Sequence, residues 1–402
     1  MPYKKFVVIG YNELTSSLPK ALNPTLTSHD TERKDQVINY TWLDKLEDAE
    51  LRAQALHMCR VITYAFDLLK SKKETQRRDV LKLFVAPEFL FNRIEKGKAP
   101  FNSYTRLEKD HLFIVLTQLL NTKALADWVI VPGTAIWRFK LPVPITKPEL
   151  KEYAGMNTGA IISGGEGVLR TCTKKFASDA DGIQGYWPQE LLSKHDKRQI
   201  YEDWDELVLQ KKGFDFGLEI CRDHSFSFMV LKNLTKSTLK EYRKHTSSLK
   251  LDFHILSACS MGLNAPAVAA IPKGYVVRID GALEAKPRME VHQVKSQSLE
   301  DAQLYRQEEE WYEKKRIERQ KTNTKKLKKE EEERRYVRMR TYRPEYYSED
   351  VKWGTTLGGA ATLATEALPK ELHMREPTHS KAESGLRSAV FNISGLLDLP
   401  KH

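Results

Sequence analysis

Segments with a helical period alternate with short apolar runs as far as Val131, and beyond that point strand runs joined by turns take over. This order restricts the fold, because a helix must bury one stripe and a strand one or both faces, and each needs a covering layer. Residues 4–10 read as a first strand. From about Leu43 to Lys72, the residues Leu51, Ala55, Met58, Cys59, Ile62, Phe66 and Leu69 recur at three- and four-residue steps, one face of an amphipathic helix. Leu81 to Phe91 reads as a buried strand. A second helix is expected over 106–126, with Leu107, His111, Ile114, Val115, Leu116, Leu119 and Leu120 as its inner stripe. Further strands are expected at Trp128–Val131, Gly159–Ser163, Val168–Lys175, Leu207–Gln210, Phe214–Ile220, Phe253–Ser257 and Tyr275–Asp280. The Gly164-Gly165-Glu166-Gly167 turn joins two of them as a hairpin. The pattern predicts a mixed sheet, or two stacked sheets, with helices outside.

At 402 residues, 41% of them hydrophobic, the chain is long enough for a large core. No segment approaches the run of about 18 apolar residues that would span a bilayer. The start, Met1 to Gly10, lacks the length and cleavage site of a signal peptide. Cys59, Cys172, Cys221 and Cys259 lie far apart with no CxxC pair, which argues against a disulfide framework or a cysteine-rich zinc site and for a reducing, cytoplasmic setting. The net charge of +11 is unevenly spread. Residues 306–340 are roughly two-thirds charged, with Glu308–Glu310 and Glu330–Glu333 set among lysines and arginines. Opposite charges three and four apart support an exposed helix, and the apolar positions sustain no heptad. This segment reads as a solvated helix or insert, or as an arm for an anionic partner. The expected organisation is a domain over 1–285, the charged helical segment over 286–350, and a loop and tail over 351–402. In that last part 353–383 reads as loop, and the apolar Ala389–Leu399 returns to the core or to a partner subunit.

The run Phe214, Phe216, Leu218, Ile220 leads into Cys221, and Arg222-Asp223-His224-Ser225 follows at once. This carries a thiol from the core to a sheet edge within reach of a substrate. A cysteine nucleophile needs a group to take its proton and a group to stabilise the oxyanion. Glu88, in Ala86-Pro87-Glu88-Phe89, places a carboxylate at an apolar strand end, where burial requires a partner and would push the carboxyl up toward a useful range for acid–base work. Lys174 and Lys175 end the run from Val168, and alternation lets only one of them point inward. Thr171, Thr173 and Lys175 share one face, Cys172 and Lys174 the other. An ammonium beside Cys221 would favour its thiolate and hold an oxyanion.

Taken together, these segments resemble the carbon–nitrogen hydrolase (nitrilase) superfamily, over roughly residues 4–282. The resemblance rests on Ala86-Pro87-Glu88, on the strand from Gly167 to Lys174-Lys175, and on Gly217-Leu218-Glu219-Ile220-Cys221-Arg222-Asp223. Supporting segments are Val129-Ile130-Val131-Pro132-Gly133, Asn157-Thr158-Gly159-Ala160 and Asp252-Phe253-His254-Ile255-Leu256-Ser257. It implies a four-layer α-β-β-α sandwich that tends to form homodimers, and a catalytic triad of Glu88, Lys175 and Cys221 with no cofactor and no metal. It also implies hydrolysis of a small-molecule amide, carbamoyl or nitrile bond through a cysteine thioester. Thr173 stands where the family has an aromatic residue, which leaves Lys174 as the alternative to Lys175. A second active-site glutamate would be Glu190, Glu202 or Glu206. His224-Ser225-Phe226 replaces the family's usual arginine and aromatic. The alternatives are a transferase using the same thioester, and a catalytically silent scaffold whose charged helix binds an anionic partner. Cys221 and His224 are too close in sequence for a papain-like dyad, and a zinc site from Cys221, Asp223 and His224 lacks a second ligand pair. His195, His245 and His254 read as ordinary surface or packed histidines.

Overall fold

A computed structural model describes residues 3–15, 22–93, 103–140, 153–174, 208–224, 251–282, 288–297, 355–372 and 390–400. In chain order the strands are β1 (Lys5–Asn12), β2 (Val80–Val85), β3 (Tyr104–Thr105), β4 (Trp128–Val131), β5 (Thr134–Lys140), β6 (Tyr153–Ser163), β7 (Val168–Thr173) and β8 (Val208–Lys211). They continue as β9 (Phe214–Ile220), β10 (Phe253–Ala258), β11 (Tyr275–Asp280), β12 (Met289–Gln297), β13 (Thr355–Ala360), β14 (Leu363–Ala367), β15 (Val390–Ser394) and β16 (Leu397–Asp398). The α-helices are α1 (Ser28–Thr31), α2 (Ala49–Ser71) and α3 (Arg106–Leu119). None among the described residues is long and apolar enough to cross a membrane.

The strands form two sheets. The larger runs β14-β15-β1-β2-β4-β6-β5-β3, with β16 also on β1 and β7 also on β6. The smaller runs β13-β12-β11-β10-β9-β8. The centres of both are parallel: β1, β2 and β4 in one, and β9, β10 and β11 in the other. Such strands are covered on both faces, which is why their sequences read as continuous apolar runs. Phe6, Val8, Leu81, Leu83 and Val85 of the large sheet pack against Phe214, Phe216, Leu218, Phe253 and Val277 of the small one. The aromatic rings of Phe6 and Phe253 meet edge-on at 5.0 Å across this seam. On the opposite face of the large sheet, Val7, Ile9, Phe84 and Ile130 pack with Leu51, Met58, Ile62, Leu112 and Leu116 of α2 and α3. The described residues thus stack as helices, large sheet, small sheet.

Local chemistry fixes where the helices begin. The Asp48 carboxylate caps α2 by accepting from the Leu51 N–H at 2.9 Å. Thr105 and Glu108 form a reciprocal capping box at the start of α3. Arg93 then joins both helix starts to the chain that follows β2, through Asp48 at 3.0 Å, Glu50 at 3.3 Å and Glu108.

The structure departs from the sequence expectations in several places. Helix α3 buries Leu112, Phe113, Val115, Leu116 and Leu119, whereas Leu107, His111 and Ile114 face outward. The inner stripe is rotated because Phe113 and Leu112 fill the space against α2 and the sheet. The helix expected from about Leu43 is α2, which begins only at Ala49, after a 3-10 turn over Tyr40–Lys45. The stretch read as loop from 353 contains β13 and β14, one on the edge of each sheet. The segment Val390–Ser394 lies inside the large sheet beside β1, with Phe391 and Ile393 in the core. The strands beyond residue 285 therefore complete both sheets. The charged segment 306–340 lies outside the described residues.

Candidate active site

Three strand ends converge on a strained patch of backbone. Among the described residues, six non-glycine residues adopt positive φ, and three of them are Phe89, Cys221 and Ser260. Phe89 follows Glu88 beyond β2, Cys221 ends β9, and Ser260 follows Cys259 beyond β10. Positive φ in residues with a Cβ is uncommon and clusters where function or tight packing requires it.

Glu88 is fully buried. Its chain is fixed from below by Gly133, whose φ of +98° suits glycine and whose missing side chain leaves room for the Pro87 carbonyl. An added Cβ there would sit 2.7 Å from that oxygen. The Phe89 N–H donates to Thr134 Oγ1 at 2.8 Å, which holds the turn. Two donors converge on Glu88 Oε1: Lys174 Nζ at 2.8 Å and Asn157 Nδ2 at 2.8 Å. Burying a carboxylate and an ammonium costs several kcal/mol per ion, which the pairing and the amide offset. The same ammonium lies 5.6 Å from the centre of the Phe89 ring.

Lys174 is the lysine that meets Glu88, and its side chain is 0% exposed. Lys175, favoured by the sequence, lies outside the described residues. The cause is the face of β7. Cys172 points into the seam between the sheets, and alternation gives Lys174 the same side. The Lys174 N–H donates to the Asn157 carbonyl at 2.8 Å, extending the β6–β7 pairing one residue past Thr173. Glu190, Glu202, Glu206, His195 and His245 also lie outside the described residues.

Cys221 opens a 3-10 turn over Cys221–His224, is buried, and has φ 46°. Its Sγ lies 3.6 Å from the Cys259 carbonyl oxygen. Cys259 is the link to the charged pair. Burial pushes its thiol up to about 12, the carboxylates of Glu88 and Asp280 push the same way, and Lys174 opposes them. Cys259 therefore sits within electrostatic range of both Glu88 and Lys174 while its backbone touches the Cys221 sulfur. Burial also pushes the Cys59 thiol far up. Neither of these two thiols ionises near neutral pH, and only thiolates are nucleophilic.

Behind Cys221, on the face of the small sheet turned away from the large one, lies a cluster that sequence reasoning missed. Glu219 Oε2 is 2.7 Å from His224 Nδ1 and 3.0 Å from His254 Nε2, and all three side chains are buried. Burial works against the Glu219 charge, yet these two histidine contacts hold its carboxyl down at about 2. Their ligand atoms lie within 4.8 Å of one another, close enough in principle for a metal ion. The tautomers oppose that use. His224 Nε2 accepts the Asn264 N–H at 3.1 Å, and His254 Nδ1 accepts the Ala269 N–H at 3.0 Å. Each ring therefore carries its proton on the nitrogen facing Glu219. A metal-bound histidine does the reverse, donating from its remote nitrogen to an acceptor. The donor set fits a hydrogen-bonded brace. Strand alternation put Glu219 and His254 on the face opposite Phe216 and Phe253, but nothing local in the sequence marks that face as covered.

A scan against protein-family models finds no match to the chain, and a search of curated proteins finds none either.

Proposed function

We propose that this chain is a carbon–nitrogen hydrolase that cleaves a small-molecule amide, carbamoyl or nitrile bond through Cys221, with Glu88 and Lys174 as its partners. The observation that carries this reading is the buried contact of Lys174 Nζ with Glu88 Oε1 at 2.8 Å. An ion pair sealed from water, beside a strained cysteine turn, costs more than a surface pair would and is seldom kept for stability alone.

In the proposed reaction Glu88 accepts the Cys221 thiol proton as the sulfur attacks the substrate carbon. The carbon–oxygen double bond gives its electron pair to oxygen, and the Lys174 ammonium with the backbone N–H after Cys221 stabilises that oxyanion. Collapse breaks the carbon–nitrogen bond, and Glu88 returns the proton to the leaving amine or ammonia. Water, giving a proton to Glu88, then attacks the thioester carbon; collapse breaks the carbon–sulfur bond, releases the acid, and Glu88 returns the proton to the Cys221 sulfur. With a nitrile, the nitrogen carries the developing charge and two waters are consumed. Lys174 remains an ammonium throughout.

The proposal extends the fold to a four-layer α-β-β-α sandwich, with a further helical layer over the outer face of the small sheet, and to pairing of two copies. Cys221 must stay reduced, so the cytoplasm is the proposed setting. An anionic partner for residues 306–340 belongs to the same proposal and would show salt-sensitive binding.

The test is iodoacetamide treatment at neutral pH with the adducts located by mass spectrometry, beside a screen of amides, ureides and nitriles for ammonia release. The expected result is preferential labelling of Cys221, suppressed in Glu88→Gln and in Lys174→Met, with at least one substrate class turned over. Equal labelling of Cys221 and Cys259, unchanged by both substitutions, would overturn the reading. Labelling without hydrolysis, but with acyl transfer to an added amine, would reassign the same thioester to a transferase.

A further inference from the structure

The φ of 46° at Cys221 places a residue with a Cβ in the left-handed region, which its side chain disfavours. Such a conformation lasts only where its surroundings fix it from both sides. On the N-terminal side, pairing of β9 with β10 as far as Ile220 and Ser257 fixes the chain. On the C-terminal side the turn ends at His224, and the Glu219–His224 hydrogen bond spans the strained residue. Glu219 stands two residues before Cys221 and His224 three after it, so the 2.7 Å contact closes a clasp around the cysteine. The clasp is itself anchored. His254 ties Glu219 to β10, and the Asn264 and Ala269 N–H groups fix which nitrogen of each ring carries the proton.

We propose that Glu219 is a positioning residue whose carboxylate oxygen, shared by His224 and His254, holds the Cys221 backbone in its strained conformation and so aims the sulfur. The consequence for reactivity rests on the reading of Cys221 as the nucleophile; the conformational claim does not. Both histidine contacts fall on one oxygen, Oε2. A glutamine carbonyl at that place could accept from both rings, so the clasp depends on an acceptor and not on a full charge. This separates Glu219 from a metal ligand or an acid–base group, either of which glutamine would disable.

The experiment incorporates [13C]cysteine into the full chain and follows the four cysteine Cα–Cβ signals by NMR. Cys221 is assigned from the signal lost in Cys221→Ser, and its iodoacetamide rate is measured in parallel. Left-handed backbone gives carbon shifts distinct from extended backbone, so the signal reads φ directly. In Glu219→Ala the Cys221 signal should move toward ordinary values or broaden, with those of Cys59 and Cys172 unchanged. Its alkylation should slow by roughly 100-fold, the scale on which misplacement by about 1 Å acts. Glu219→Gln should keep both the signal and most of the rate. If Glu219→Ala does not fold, His224→Leu opens the clasp from its other end and is read in the same way. An unmoved Cys221 signal in a folded clasp variant overturns the inference, as does loss of the signal in Glu219→Gln. Failure of the hydrolase reading shows elsewhere, as wild-type Cys221 no more reactive than Cys259, and the NMR signals decide the clasp in either case.

Discussion

The Lys174 ammonium and the Glu88 carboxylate meet at 2.8 Å with neither side chain exposed to solvent. One lysine of an adjacent pair is thereby committed to the interior. Lys174→Met should abolish Cys221 alkylation preference and any hydrolysis, whereas Lys175→Ala should leave both near wild type. Removing one oxyanion donor in sites of this kind costs about 3 kcal/mol. The single variant also strands a buried carboxylate, so unfolding by urea should show a loss of about 3–5 kcal/mol. The double variant Glu88→Gln with Lys174→Met should recover much of that stability and none of the reactivity. The opposite pattern, with Lys175→Ala inactive and Lys174→Met active, would refute the assignment.

Asn157 supplies the second donor to Glu88, at 2.8 Å. Asn157→Leu keeps the volume and removes the amide, and should lower stability by about 1–3 kcal/mol, the usual cost of an unmet buried hydrogen bond. It should also slow Cys221 alkylation. A urea midpoint and an alkylation rate both equal to wild type would show that the amide does nothing for Glu88.

Gly133 leaves space for the Pro87 carbonyl beneath the Glu88 turn and has a φ that disfavours any side chain. Gly133→Ala should therefore lower the thermal midpoint sharply, by a mechanism combining strain and overlap. Thermal unfolding followed by circular dichroism checks this. An unchanged midpoint would mean that the turn relaxes freely.

Lys211 reports on stability at the other end of the seam. Burial holds its amine down at about 8, opposed by Glu166, from an ordinary value of 10.5. Its Nζ donates to Ser163 Oγ at 2.8 Å and to the Gly164 carbonyl at 2.7 Å. Between those two values the unfolded chain binds the proton more fully than the folded one, so stability rises with pH across that window. The contribution is present in full above about 10.5 and is lost as pH falls through about 8. Lys211→Met should remove the rise. Urea unfolding of both proteins across the window decides it, and parallel stability curves would contradict the expectation.

The strand framework was legible because buried parallel strands such as Phe6–Ile9 and Phe253–Leu256 are apolar on both faces. The carboxylate at the end of β2 and the thiol at the end of β9 were legible for the same reason, since each interrupts such a run. The inward lysine was not. Strand β7 is only partly buried, so its residues carry no clear inner face, and the choice falls to its pairing with β6 and to the second sheet opposite Cys172. Helix α3 misled because Leu107 and Ile114 are apolar yet exposed, at 65% and 49%. Strands β13 and β14 escaped because Thr-, Gly- and Ala-rich segments at sheet edges show no period, and their pairing is set by partners distant in the chain. Glu219 and His254 were invisible as a pair because their meeting depends on β9 and β10 lying side by side.

The carboxylate and the ammonium hang from the larger sheet and the sulfur from the smaller, so the thickness of the aromatic layer between them acts as a shim. Phe6 and Phe253 lie within that layer, and shaving or enlarging either ring would alter the spacing between Cys221 and the Glu88–Lys174 pair. For the proposed hydrolase, changes deep in the hydrophobic filling would therefore tune reactivity as surely as changes beside Cys221.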